Sequence, residues 1–387
     1  VVNAIDSVDT ESNDILYWMN DRFDSKDDAL SAIKDSYLRT SEMGYALVSL
    51  QSVIADHLRV RTGNYRNNER FFYKSPHGPR GPADVRNPYI SGKSKYSFPK
   101  FNIPPNYQAW GRGYYTDLDK KDSSVNYNYN GQVSGGILGV DYTYDNLMVG
   151  FSSGYAETQV QGGYSFPDIS GYNGESSTIH GGVYASARSS KSYIDVNINY
   201  SKSDVETKGP SSMGYAAEYG ANNLNFYTGL GMELLRTKNI LIIPEVSVMS
   251  SLYEREKYTE TSRFDELPDK VFSSLSEWTY KAEAGLDIVF LQFITRSKQQ
   301  MVIQPEISIY WIHHFDPYLT ESYLLEGNTS PINTISSINE ESLFRLGIGL
   351  NMWDLTKYNT EFRWDIDSTS GSDYQEFTTS ANFIHRF

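Results

Sequence analysis

From about residue 107 to the end of the chain, apolar and polar residues alternate with a period of two. In the stretch 192–203, Ile194, Val196, Ile198 and Tyr200 alternate with Asp195, Asn197 and Asn199. In 278–290, Tyr280, Ala282, Ala284, Leu286, Ile288 and Phe290 alternate with Lys281, Glu283, Gly285 and Asp287. The same rhythm places Phe344, Leu346, Ile348 and Leu350 against Arg345, Gly347 and Gly349, and Phe362, Trp364 and Ile366 against Glu361, Arg363 and Asp365. Successive side chains of a strand point to opposite faces. Each stretch therefore reads as a strand with one apolar side, the other carrying charge and glycine.

The pattern predicts twelve strands, over 107–117, 129–144, 147–160, 176–188, 192–205, 222–235, 240–254, 277–291, 299–314, 341–353, 357–367 and 373–387. Most are longer than the five or six residues usual in soluble sheets. About 9–11 tilted residues are what a strand needs to cross a bilayer. The connections alternate. Short ones fall at 145–146, 189–191, 236–239, 296–298 and 354–356, and mostly long ones at 118–128, 161–175, 206–221, 255–276 and 315–340. That rhythm predicts an all-β fold, a twelve-stranded antiparallel up-and-down transmembrane β-barrel with both chain ends on the short-turn side. A soluble sandwich shares the period but not the strand length together with the turn rhythm.

Upstream the period changes. Leu30, Ile33, Tyr37, Gly44, Leu47, Leu50, Ile54 and Leu58 recur at helical spacing, which predicts an α-helix over 27–59, capped by Ser25 or Asp27 and followed by Gly63. Its other face carries Lys34, Arg39, Glu42, Gln51, Asp56 and Arg59. That face is too polar for lipid and suits a polar pore. Residues 1–26 read as a linker, and 60–106, rich in Gly, Pro, Asn and Arg, as a second one.

Composition narrows the choices. The net charge is −14, from 34 Lys and Arg against 48 Asp and Glu. So acidic a chain argues against nucleic acid as a partner, because phosphate binding needs clustered cations. There are no cysteines, hence no disulfides and no thiolate chemistry. No apolar run reaches the ~18–20 residues of a spanning helix, and residues 1–14 lack the apolar core of a signal peptide. The 31 Tyr, 18 Phe and 6 Trp suit a barrel, which uses aromatic rings as girdles at both membrane interfaces; Trp110, Trp311, Trp353 and Trp364 are read as such anchors.

If apolar positions face lipid, the inward set includes Asp195, Glu233, Glu245, Glu283, Asp287, Glu306, Glu361, Asp365 and Glu376, against Lys281, Arg345, Arg363 and Arg386. The helix region offers Lys34, Arg39, Arg59 and Arg61. Two arrangements follow. These basic residues pair with lumen carboxylates and seat the helix as a plug, or the wall charges pair among themselves.

The segment from Asp28 to Tyr37, running on to Arg59, then Gln108 to Gly113, Gly135 to Tyr142 and Leu147 to Tyr155, and last the terminal Phe387 after Phe383, Ile384, His385 and Arg386, together resemble the C-terminal β-barrel translocator domain of autotransporters, the type V secretion family. The resemblance implies a bacterial outer-membrane protein with a periplasmic C-terminus. Its helix stays in the barrel, and it helps an N-terminal passenger reach the cell surface. The implied partners are that passenger, outer-membrane lipid and lipopolysaccharide, and the barrel-assembly machinery, which reads Phe383, His385 and Phe387. His385 departs from the aromatic or aliphatic residue usual at its position. Asn67-Asn68 falls beyond the expected helix end, so self-cleavage inside the pore is not expected. A monomer is expected, with no cofactor, no metal and no catalysis. The alternatives are a stand-alone porin or structural barrel, and a surface hydrolase drawing on His57, His77, His180, His313, His314 and His385. His313-His314 with Asp316 sits at the end of the ninth strand, where a catalytic base would still need an orienting carboxylate and a nucleophile close by.

Overall fold

A computed structural model describes residues 40–72, 107–121, 129–144, 146–162, 172–189, 191–209, 214–237, 240–263, 269–290, 292–296, 299–315, 318–325, 332–337, 341–354 and 360–386. Among these residues are one helix, α1 (Thr40–Phe72), and twelve long strands: β1 (Tyr107–Lys120), β2 (Tyr129–Tyr144), β3 (Leu147–Gly162), β4 (Asn173–Arg188), β5 (Ser192–Lys208), β6 (Tyr215–Met232), β7 (Ile240–Arg255), β8 (Leu275–Phe290), β9 (Gln299–Phe315), β10 (Ser342–Asp354), β11 (Thr360–Ser370) and β12 (Tyr374–Arg386).

Each strand pairs antiparallel with the next, and β12 pairs with β1 from Gln108↔Arg386 to Lys120↔Tyr374. The sheet is therefore a closed twelve-stranded barrel. Closure matters because lipid offers no partner for a backbone N–H or C=O, so an open edge could not survive there. The outward face carries the apolar set. Leu138, Val140, Phe151, Ile198, Val248, Leu346 and Ile348 are all exposed. The inward face carries the polar set, buried against α1. Trp311 and Trp364 are exposed on the outer face. Trp110 and Trp353 are 3% exposed and face the lumen instead. They are in phase with Arg112 and Asn351, and strand phase decides the face whatever the residue type. The Trp110 indole lies across its partner Gly139, where an added methyl would overlap the ring.

The helix corrects two boundaries. It continues past Arg59 and Gly63 to Phe72, so residues 60–72 are helix rather than linker. A lone glycine costs a helix only about 1 kcal/mol, and no proline occurs before Pro76. Asn67-Asn68 consequently lies within α1. The predicted helix start, with Lys34 and Arg39, lies outside the described residues. At ~1.5 Å per residue α1 is about 50 Å long, and among the described residues no helix is apolar enough to cross a membrane.

The barrel has a short-turn end, where β1 begins and β12 ends, and a long-loop end. Two predicted loops contain strands. Residues 255–276 hold Tyr258–Ser262 and Lys270–Phe272, and 315–340 hold Tyr318–Leu325 and Ile332–Ser337. These four segments pair with one another as a small sheet at the loop end. The top of β6, from Tyr215, is likewise strand where a loop was expected.

Candidate functional site

The helix lies in the lumen, and its two halves meet the wall differently. Toward the loop end, Met43, Ala46, Leu47 and Val48 join a buried apolar cluster with Tyr129, Val160, Tyr172, Val205, Tyr219 and Tyr253. Midway, Leu50, Val53, Ile54 and Leu58 pack with Trp110, Tyr114, Val133, Ile137 and Tyr184. The His57 ring lies 4.6 Å from that of Tyr114.

Toward the turn end the contacts become charged. Arg61 donates from Nε and Nη2 to the two oxygens of Asp141, both at 2.9 Å, and from Nη2 to Gln108 Oε1 at 2.8 Å. Asp141 also accepts the Tyr184 hydroxyl at 3.0 Å, which in turn accepts the Trp110 indole N–H at 2.6 Å. The two-point geometry explains why arginine suits this place. Its planar fork matches a carboxylate. Thr62 donates to Asp195 Oδ2 at 2.9 Å.

One turn earlier, Arg59 donates to the Tyr310 hydroxyl at 2.9 Å and lies 3.6 Å from Glu245. Its guanidinium stands 4.7 Å from the Tyr310 ring centroid, within cation–π range. The Tyr310 hydroxyl donates to Asp287 at 3.0 Å. The polarity also reverses: helix Asp56 pairs with wall Arg345 at 2.6 Å. Arg345 reaches Glu283 at 2.7 Å, and Glu283 pairs with Lys281 at 2.7 Å. Gln51 donates to Ser201 at 2.7 Å.

Pairs within the wall exist as well. Arg363 joins Glu306 at 2.9 Å and Asp365 at 2.6 Å. Arg112 reaches Asp365 at 2.9 Å, and Arg386 pairs with Glu361. The two arrangements offered by the sequence therefore coexist, helix-to-wall on one group of strands and wall-to-wall on another.

Among the sequence-derived residues, Asp195, Glu245 and Glu283 meet α1 or its partners directly, and Asp287 joins through Tyr310. Glu306, Glu361 and Asp365 serve the wall. Glu233 lies at the turn end beside Arg236, 3.3 Å away. Glu376 accepts the Tyr374 hydroxyl at 2.6 Å near the loop end. Phe383 is exposed on the outer wall, His385 is half-buried on β12, and Phe387 lies outside the described residues. His313 packs against Trp311 and Phe315 rings 5.4 and 4.7 Å away; Asp316 lies outside the described residues. Asp141, Arg112 and Tyr310 lie outside the charged positions the strand pattern singles out, and Asp56, on the polar face of the helix, pairs with the wall rather than facing solvent.

A model of the autotransporter β-domain matches residues 109–362. The chain belongs to that family. Three solved structures share the β-domain fold. The translocator domain of the autotransporter NalP from Neisseria meningitidis is 10% identical, with a TM-score of 0.53 over 73% of this chain and 89% of that one. The transport unit of AIDA-I from Escherichia coli is 11% identical, with a TM-score of 0.54 over 76% and 93%. The β-domain of the Bordetella autotransporter BrkA is 14% identical, with a TM-score of 0.50 over 73% and 100%. No curated protein matches this sequence. As an autotransporter β-domain the chain is an outer-membrane translocator barrel, the setting its outward apolar wall requires.

Proposed function

We propose that this domain anchors a passenger, joined N-terminal to α1, in the outer membrane and helps export it to the cell surface. One observation carries the reading, the direction of α1. Its Met43 end lies among the long-loop ends of the strands, and its Arg61 end lies beside Gln108 and Asp141 at the short-turn end. Short turns face the periplasm in outer-membrane barrels. The C-terminus is then periplasmic, and a chain joined upstream of α1 leaves on the outside. Residues 1–26 act as the link to that passenger and 73–106 as the return from the helix to β1. Arg59 and Arg61 seat the helix against Glu245 and Asp141. The outward Phe383, with His385 and Phe387, serves as the assembly signal for the barrel-assembly machinery, while the outer wall contacts lipid and lipopolysaccharide.

A stand-alone porin needs an open lumen, which a seated α1 denies it. The test is surface display. A protease-sensitive epitope placed before Val1 is expected to be shaved from intact cells by an added protease. A chain lacking Phe387 is expected to reach the outer membrane in several-fold lower amount. An epitope that stays protected while the barrel is folded in the membrane defeats the export reading.

A further inference from the structure

We infer that the small sheet at the loop end is a hinged lid, which seals the lumen above the head of α1 independently of the helix's charged seat. The inference deepens the export reading, since it concerns control of the same lumen, but the closure itself stands on strand pairing, packing and a buried ion pair.

The hinge is visible in the pairing. β7 and β8 stay in register up to Arg255↔Leu275. Pairing resumes at Phe272↔Tyr258 and continues to Lys270↔Glu260. Between these levels Glu256 and Lys257 on one strand, and Ser273 and Ser274 on the other, leave the strand conformation together. Two neighbouring strands broken at one height define an axis about which the upper piece can turn. Beyond it, the lid is a unit of its own. Phe272 pairs with Tyr323, and Tyr318–Tyr323 pair with Ile332–Ser337.

The lid's inner face is buried and combines a row of aromatic rings with a Lys270–Glu260 ion pair at 3.1 Å. Tyr258, Phe272 and Tyr323 form a continuous stack with Tyr219 of β6, with ring centroids 4.3, 4.7 and 5.1 Å apart in the order Tyr219, Tyr258, Phe272, Tyr323. Phe272 and Tyr323 have no exposed surface, although they belong to segments beyond the membrane wall. They share one buried cluster with Met43, Ala46 and Leu47 at the head of α1. Side chains at a pore mouth stay this dry only when the mouth is shut over them.

The closed position has a latch. Arg255, the last wall residue below the hinge, forms a buried ion pair with Glu321 of the lid and donates to Ser273 O at 3.1 Å. Its guanidinium lies 4.7 Å from the Tyr258 ring and 5.6 Å from that of Phe272. The latch thus joins wall, hinge and lid. The lid's edge strand holds to β6 by the pairs Tyr215↔Ser262 and Ala216↔Thr261, with Arg263 N donating to Gly214 O at 3.1 Å beyond them and Glu256 N donating to Gly220 O at 3.3 Å at the hinge. So short a pairing can yield without unzipping the wall.

The absence of cysteine makes the test clean. Ala46→Cys puts one thiol beneath the lid, at a position with no exposed surface, and Lys208→Cys puts one on the exposed face of β5. The full chain in outer-membrane vesicles is treated with a membrane-impermeant maleimide. The expected result is labelling of Ala46→Cys at least tenfold slower than Lys208→Cys. Adding either Glu321→Gln or Phe272→Ala is expected to raise the Ala46→Cys rate at least tenfold, with heat-modifiable gel mobility showing the barrel still folded. Two lid variants are used so that one failing to fold leaves the other to decide. Equal labelling of the two positions in the otherwise unaltered chain overturns the lid, as does an unchanged rate in a folded lid variant. Surface display is read separately. A protected epitope alongside lid-dependent labelling defeats export and leaves the lid standing.

Discussion

Replacing Arg61 with alanine tests whether the charged end seats the helix. Arg61 and Asp141 are among the most enclosed side chains of the lumen, 1% and 0% exposed. The substitution removes three hydrogen bonds at 2.8–2.9 Å and leaves Asp141 with the Tyr184 hydroxyl. Removing one partner of a buried pair costs ~3–5 kcal/mol, most of it the cost of the stranded charge. Taking the lower figure, because the lumen wall is polar, the ratio of seated to unseated helix falls about 10²-fold. Native-state amide exchange in micelles reads this directly, because protection reports the free energy of local opening. Amides around 56–63 should lose about two orders of magnitude of protection, while those of β5 and β6 stay unchanged. Asp141→Asn should produce a similar loss, since it strands Arg61. The double variant should lose clearly less than the two single losses combined, because no charge is then left alone. Unchanged protection in Arg61→Ala, or strict additivity in the double variant, would refute the seat.

Two further expectations concern the wall. Gly139→Val drives a branched side chain into the Trp110 indole, and overpacking of this kind costs ~1–3 kcal/mol; the expected readout is a lower urea midpoint for unfolding from vesicles, restored in part by Trp110→Leu. Ile348, 60% exposed near the middle of β10, should face the bilayer centre. Ile348→Arg is then expected to lower folding stability by ~2–4 kcal/mol in lipid vesicles, and a neutral result would place this strand face in water.

Most of the barrel was legible because strand phase is local information. Ile194, Val196 and Ile198 outward forced Asp195 and Asn197 inward, and the same logic located Glu245, Glu283 and Asp287. Asp141 is legible by that rule too, since Leu138, Val140 and Tyr142 share the outward phase, but as a lone acid among glycines it stands outside the charged runs that mark the other lumen positions. Trp110 and Trp353 were misplaced when residue type was allowed to outrank phase. The helix end was misread because Gly63 looks like a stop, although one glycine cannot outweigh the contacts Arg61 and Thr62 make around it. The lid strands were illegible for a different reason. Tyr258–Ser262 and Lys270–Phe272 are too short to show a period, and they are strands because they pair with each other, with β6 and with Tyr318–Leu325. Which carboxylate meets which arginine was likewise beyond the sequence, since it depends on the height of α1 in the lumen.

That height is set by two different forces. At the loop end, Met43, Ala46 and Leu47 bury apolar surface, an interaction without direction that tolerates sliding by a fraction of a turn. Arg61 on Asp141 at the turn end and Asp56 on Arg345 further up the lumen have opposite polarity along the helix. A slip of one turn, about 5.4 Å, would break both pairs. The apolar head therefore supplies adhesion, and the charged tail supplies position. An all-apolar plug of the same length would adhere more strongly but would have no preferred depth. Buried pairs are also screened little by salt, so the seat holds at the ionic strengths the outer membrane meets. A helix held this way can be released by unlocking a few defined contacts rather than by stripping a continuous apolar face.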